Sequence, residues 1–147
     1  MRTIEQILRT ARNVAVVGLS NKPERTSHHV AAYLQAQGYH IIPVNPAYAG
    51  QRILGENVHA TLQEAADMLA QRGQRIDIVD CFRKSEDIPP IAKDAIDVRA
   101  GTLWMQLDIE NRKAADLARA AGLDVVMNHC MLIEHRKLDA DMDAGAA

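Results

Sequence analysis

Aromatic residues are scarce in this 147-residue chain, 3% in all: one Trp, three Tyr and one Phe. Without a row of rings there is no platform on which successive bases could stack. The formal net charge of −2 leaves no positive surplus to spread over a nucleic acid, so any anion site has to be local. Cysteine is as scarce. Cys81 and Cys130 make no disulfide framework, and neither belongs to a run with metal-ligand spacing. No apolar stretch approaches the ~18 residues of a membrane span. The opening Met1-Arg2-Thr3-Ile4-Glu5-Gln6 places polar and acidic residues where a signal peptide needs an apolar block. These absences lead us to expect a cytoplasmic chain with no nucleic-acid and no membrane partner.

What is present is an ordinary globular balance, 48% apolar and 24% charged, with a core that must rest on Val, Ile, Leu, Ala and Met. The length suits one domain. The most telling stretch is Val14-Ala15-Val16-Val17-Gly18-Leu19-Ser20, followed by Asn21-Lys22-Pro23-Glu24-Arg25-Thr26-Ser27. A β-branched run that ends in glycine and leads into a helix is how a buried parallel strand delivers the chain to a phosphate. Gly18 can take positive φ and let a ligand approach the backbone. The helix start offers N–H groups and the positive end of its dipole, and Lys22 and Arg25 add mobile positive charge. Taken alone, the stretch also reads as a plain strand-to-helix turn with solvated basic residues.

Ile4, Ile7, Leu8 and Ala11 have helical spacing and predict a leading helix over Ile4 to Arg12. A first strand is expected over Asn13 to Gly18, then a helix capped by Thr26 or Ser27 and stopped by Gly38. Tyr39 to Val44 reads as a second strand, ended by Pro43-Val44-Asn45-Pro46. Ala47 to Ala60 reads as loop, and Thr61-Leu62-Gln63-Glu64 as a capping box opening a helix to about Arg72. Strands follow over Ile76 to Phe82, Thr102 to Met105 and Asp124 to Met127, separated by helices over Ile88 to Arg99 and Glu110 to Ala121. A short last helix over Cys130 to Lys137 completes a domain spanning residues 1–138. Residues 139–147 lack a packing face and are expected to be a disordered tail. Regular alternation with short turns means βαβ units and right-handed crossovers. The expected fold is α/β: a Rossmann-like, doubly wound, mainly parallel five-stranded sheet with helices on both faces, its strands in the order 3-2-1-4-5.

Parallel strands share a C-terminal edge, and the chemically unusual residues fall there. Gly18 and Ser20 follow the first strand, Asn45 and Pro46 the second, and Cys81, Phe82 and Arg83 the third. Trp104 and Gln106 end the fourth, and Asn128, His129 and Cys130 the fifth. Doubly wound sheets bind ligands in the crevice outside these ends. The first turn is not G-x-G-x-x-G, and no acid follows the second strand to hold a ribose hydroxyl, which disfavours ordinary NAD binding. No acidic pair follows the first strand, so Asp80 is expected to orient backbone or a polar neighbour rather than to accept a phosphoryl group.

Gly18-Leu19-Ser20, Lys22 through Ser27, Tyr33-Leu34, Gly38-Tyr39 and Pro43-Val44-Asn45-Pro46 resemble the bacterial and archaeal CoA-binding domain proteins, the YccU-like family. So do Ile53-Leu54-Gly55, Val79 through Arg83, Trp104-Met105-Gln106-Leu107 and Met127 through Met131. That family is similar to the CoA-binding domain of the succinyl-CoA synthetase α-subunit but stands alone as one Rossmann-like domain. The resemblance implies coenzyme A or an acyl-CoA as ligand. Gly18, Ser20 and Arg25 would hold the diphosphate, with Ser27 at the helix start and Lys22 free to reach the 3′-phosphate. Pro43, Asn45 and Pro46 would line the adenosine side, and Phe82 and Arg83 the path of the pantetheine arm. Trp104 and Gln106 would shape the inner crevice, unless these two belong to the core. Two departures stand out: Asp108 where the family usually has glycine, and Asn128-His129 where it usually has Asp-Arg. An added carboxylate and a missing arginine make that end of the pocket less favourable to anions.

Catalysis would need a nucleophile or an acid–base pair at the thioester end. His129-Cys130 is the tempting pair, with His135 near by and Cys81 across the edge, but neighbours in an extended segment point to opposite sides. The preferred reading is therefore a CoA-binding module, acting as sensor, carrier or regulatory partner without catalysis of its own. The alternatives are a thiol or acyl-transfer enzyme using Cys130 or Cys81, and an interaction protein with a vestigial crevice. A homodimer is compatible with so small a sheet, and no residue names a protein partner.

Overall fold

A computed structural model describes the backbone of residues 1–146 and the side chains of residues 1–140. The elements run α1 (Ile4–Thr10), β1 (Asn13–Val17), α2 (Thr26–Ala36), β2 (His40–Val44), β3 (Arg52–Ile53), β4 (Glu56–Asn57), α3 (Leu62–Ala70) and β5 (Ile78–Cys81), followed by α4 (Ile88–Asp97), β6 (Thr102–Met105), α5 (Arg112–Ala120), β7 (Asp124–Val126) and α6 (Met131–Ala146). Five parallel strands form one sheet in the order β2-β1-β5-β6-β7, and β3 and β4 form a small antiparallel hairpin. The expected Rossmann-like α/β fold is the one observed. None of the described helices is long and apolar enough to cross a membrane.

The strand order differs from expectation. Numbered among themselves, the sheet strands run 2-1-3-4-5 rather than 3-2-1-4-5. The reason lies in β2. The Pro43 carbonyl accepts from His59 N at 3.0 Å, and Asn45 N donates to His59 O at 2.9 Å, so the segment after β4 lies along the outer edge of β2. A strand residue directs its N and its C=O to the same side, which places the donor-less nitrogen of Pro43 on that outer edge. No parallel strand extends the sheet there. The third sheet strand, β5, pairs instead with the free side of β1, and the order reverses between β1 and β5.

Alternation along the strands sorts side chains onto two faces. Val14, Val16, Ile41, Ile78, Trp104 and Val126 face α1, α2 and α6, where Leu8, Leu34 and Met131 cover them. Ala15, Ile42, Val79, Leu103 and Met105 face α3, α4 and α5, whose contact residues are largely alanines. Small side chains let those helices sit close to the sheet, and they explain how a chain with few rings fills its core.

Three local expectations are corrected. The cap position of α2 is Arg25, not Thr26 or Ser27. The stretch taken for loop contains the β3–β4 hairpin, closed by Leu54 and Gly55 at φ 53° and 79°, the two positive values of a type I′ turn. The last helix begins at Met131 and its backbone continues to Ala146. The side chains of 141–147, on which the expectation of a tail without a packing face partly rests, lie outside the described residues.

Candidate functional site

The turn from β1 into α2 is held by its neighbours on both sides. Gly18 N donates to Val44 O at 2.9 Å, and Phe82 N donates to Val17 O at 2.9 Å, so the ends of β2, β1 and β5 are laced together. Gly18 sits at φ +89°, and a Cβ there would stand 2.7 Å from the Phe82 carbonyl oxygen and 3.0 Å from Arg83 Cδ. Only glycine meets both demands. Beyond it, Ser20 N donates to Ser27 Oγ at 3.0 Å, Lys22 N donates to Ser20 Oγ at 3.1 Å, and Arg25 N donates to Lys22 O at 3.0 Å. The loop is thus a series of small turns that leave the side chains of Lys22 and Arg25 exposed.

The start of α2 differs from those of its neighbours. Thr3 caps α1, Thr61 caps α3 and Asn111 caps α5, each with a side-chain oxygen accepting a backbone N–H. In α4, Pro89 and Pro90 occupy the first turn and bring no N–H. At α2 the cap position holds Arg25, whose side chain has no acceptor, and no side chain caps the helix. The first-turn N–H groups of α2 are therefore left without a side-chain cap, in a groove that Lys22 and Arg25 also line.

Two grooves meet at Gly18 and Asn45. One, of about 390 Å³, is lined by Gly18, Ser20, Lys22, Arg25, Ser27 and Asn45, together with Thr26, Tyr48 and Phe82. The other, of about 350 Å³, lies toward α4 and is lined by Asn45, Pro46 and Arg83 with Val17, Glu86, Asp87, Pro90 and Ile91. Arg83 leans on Asp87, its Nη2 3.7 Å from the carboxylate. Asn45, nearly buried between the grooves, is spent as a brace: its Nδ2 donates to Leu19 O at 3.1 Å and its Oδ1 accepts from Ala47 N at 3.0 Å. Ser27 is also a brace, through Ser20 N. Nine of the twelve expected site residues thus come together here.

Pro43, Trp104 and Gln106 line neither groove. Pro43 is buried within β2. Trp104 is wholly buried, and its Nε1 donates to His129 O at 2.8 Å. Gln106 donates its amide to Asp80 Oδ1 beneath the crevice, so Asp80 does hold a polar neighbour as expected. Asp80 Oδ2 has no partner among the described residues, and burial pushes this carboxyl up to about 7, with the Gln106 bond pulling the other way. Beyond β6 and β7, Asp108 N donates to Asn128 Oδ1 at 2.7 Å, and both residues are left-handed, at φ 68° and 61°. His129 Nδ1 lies 3.0 Å from Glu134 Oε1, which Lys137 also approaches. Cys130 is half-buried at the start of α6, whereas Cys81 is fully buried and its thiol is pushed up by desolvation and by Asp80. Among the described residues no group of three His, Cys, Asp or Glu side chains comes together to hold a metal.

Sequence reasoning missed Tyr48, Thr26 and the α4-side wall of Glu86, Asp87, Pro90 and Ile91. Tyr48 carried a signal: an aromatic in a chain poor in them, just after the Asn45-Pro46 turn that Asn45 caps. The α4 wall carried none, because its residues look like an ordinary helix start.

An open parallel sheet whose glycine turn and uncapped basic helix start lie where the strand order reverses has the architecture that nucleotide-binding α/β domains use. The particular kind follows from comparison: residues 12–136 match the CoA binding domain family, and the chain belongs to it. It is 36% identical over 132 residues to YneT of Bacillus subtilis, covering 90% of this chain and 91% of YneT. A solved structure from Pyrococcus horikoshii is similar at 36% identity and TM-score 0.81, with 92% of this chain and 89% of that one covered. Another, from Thermus thermophilus, is similar at 29% identity and TM-score 0.81, with 93% and 99% covered. Membership supports CoA or a related small-molecule nucleotide as the ligand.

Proposed function

We propose that this protein binds coenzyme A or an acyl-CoA in the crevice at the C-terminal edge of the sheet, as a sensor, carrier or regulatory module without catalysis of its own. The observation that carries this reading is the α2 start: its N–H groups are uncapped and flanked by Lys22 and Arg25. Charge-assisted bonds from such donors suit a diphosphate. Gly18 would let the phosphates approach the backbone, Arg25 would pair with them, and Lys22 would reach the 3′-phosphate. Ser20 would contribute through its hydroxyl, since its N–H is already given to Ser27. Two observations weigh against the thiol-enzyme alternative: Cys81 is sealed in the core, and the His129 ring pairs with Glu134 rather than with the half-buried Cys130.

Calorimetric titration of the reduced protein with CoA, dephospho-CoA and NAD tests the reading. CoA is expected to bind saturably, about tenfold more weakly to Arg25→Ala and more weakly when the 3′-phosphate is missing. Absence of CoA binding, or binding of NAD alone, overturns it.

A further inference from the structure

The opposite edge of the sheet holds a second concentration of positive charge that the crevice does not use. There α1 and α3 end and β1, β2 and β5 begin. Arg12 follows α1, and Arg72 and Arg75 follow α3, with His40 at the start of β2. Together with Gln74 and Asp77 they line an open groove of about 580 Å³. Basic residues complement helix C-termini, which accounts for arginines arriving here but not for the state of their side chains. Those of Arg12 and Arg72 make no ion pair and no hydrogen bond to the described residues.

The carboxylate in the groove is already engaged. Asp77 Oδ2 accepts from Arg12 N at 3.0 Å and from Asn13 N at 2.9 Å, and its Oδ1 lies 3.8 Å from Arg75 Nε. Arg75 keeps its outer nitrogen free. That Nη2 stands 3.4 Å from where a Gly101 Cβ would lie, and Arg2 Nη2 stands 3.5 Å from the same point. Beside the groove, Arg2 approaches the same glycine, but its fork is engaged: Nε is tied to Asp124 at 2.7 Å and Nη1 donates to Thr10 Oγ1 at 3.2 Å. The wall behind the groove is fixed. Buried Asn13 donates its Nδ2 to Gln74 Oε1 and Arg75 O, which turns its Oδ1 toward His40 Nδ1 at 3.0 Å.

We propose that this groove is a second binding site, for a small molecule carrying two or more phosphate or carboxylate groups. The guanidinium fork matches both kinds of oxyanion, and three arginines around one groove, with the side chains of Arg12 and Arg72 unpaired among the described residues, favour a multivalent one. The site stands independently of the CoA reading, because it shares no residue with the crevice.

The test is titration of isotopically labelled protein with pyrophosphate and, separately, citrate, followed by backbone amide shifts at about 0.15 M salt. Saturable shifts are expected at Gly73, Gln74 and His40, weakened about tenfold or more in Arg72→Ser/Arg75→Ser and unchanged in Arg25→Ala. Response to pyrophosphate alone assigns phosphate ligands, and response to citrate alone assigns carboxylates. The proposal is overturned if neither anion saturates, if the double variant binds as well as the parent, or if the shifts appear at residues 18–27 instead. A double variant that loses only stability reduces the arginines to complements of the helix ends.

Discussion

The two ends of the sheet's C-terminal edge are built from the same kinds of residue and use them in opposite ways. At the β1–β2 end, Gly18, Lys22, Arg25 and the start of α2 keep donors and charge directed outward, and the braces, Asn45 and Ser27, hold the loop open from within. At the β6–β7 end, Trp104, Gln106, Asn128 and His129 are tied to the backbone or to side chains of their own chain. Both ends carry the rare and polar residues that mark a crevice in sequence. What separates binding surface from scaffold is whether hydrogen-bonding capacity is left over after folding. The first end has a surplus, and the second is largely closed on itself.

The largest test of that contrast is Trp104→Ala. Removing a wholly buried indole that also ties down His129 O is expected to cost about 4 kcal/mol in urea unfolding, while the folded fraction binds CoA as before. Loss of affinity with little loss of stability would move Trp104 from scaffold to site. Asp80→Asn comes next. Burial raises the Asp80 carboxyl to about 7, so between about pH 4 and pH 7 the folded protein holds a proton that the unfolded chain has released. Stability therefore falls as pH rises through that window and levels off above it. Asn removes the slope and is expected to gain about 3 kcal/mol at pH 8, read from urea midpoints at pH 5 and pH 8. A parent protein as stable at pH 8 as at pH 5 would mean that the Asp80 carboxylate finds a partner when charged, so that Oδ2 is not capacity left over.

The sheet was legible because its signals are long-range in pattern and local in cause. Continuous apolar, β-branched runs and helix caps point the same way, and β6 has the bounds expected from its sequence. Strand order was not read, although Pro43 carried the clue: a proline inside a strand belongs at an edge. The β3–β4 hairpin escaped because Leu54 is a poor advertisement for a turn needing two positive φ values. The cap of α2 escaped for the opposite reason, since Thr26 and Ser27 are good cap residues and Arg25 is not. Ser27 is recruited by Ser20 across the loop instead, which is a tertiary fact. At the open end of the candidate site, Gly18, Lys22 and Arg25 are expected together from the sequence and do line one groove. The closed end was not legible, because Trp104 and Gln106 differ from ligand-binding residues only in having found partners.

Gly18→Ala sharpens the comparison from the open side. A methyl group at φ +89° and 2.7 Å from the Phe82 carbonyl has nowhere to go unless the β5 end withdraws. The expected cost is about 2 kcal/mol of stability, with a loss of CoA affinity of about tenfold or more. A stable Ala variant that still binds would show that ligand and glycine do not meet.

The smallest expected effect probes the closed side at the residue that departs from the family. Asp108 sits at φ +68°, so the glycine usual there has a backbone reason that involves no ligand. Asp tolerates this conformation better than most side chains. Its contact with Asn128 runs through the backbone N–H, which a glycine there keeps. Asp108→Gly should therefore gain about 0.5 kcal/mol, the relief of the left-handed strain slightly exceeding the extra freedom of glycine in the unfolded chain. On this account CoA affinity should move less than about twofold, since an exposed carboxylate after β6, two strands away from β1, is screened by solvent. A severalfold rise in affinity would instead place the carboxylate against the bound anion. The far end would then belong to the site, and the division between an open and a closed end would fail there first.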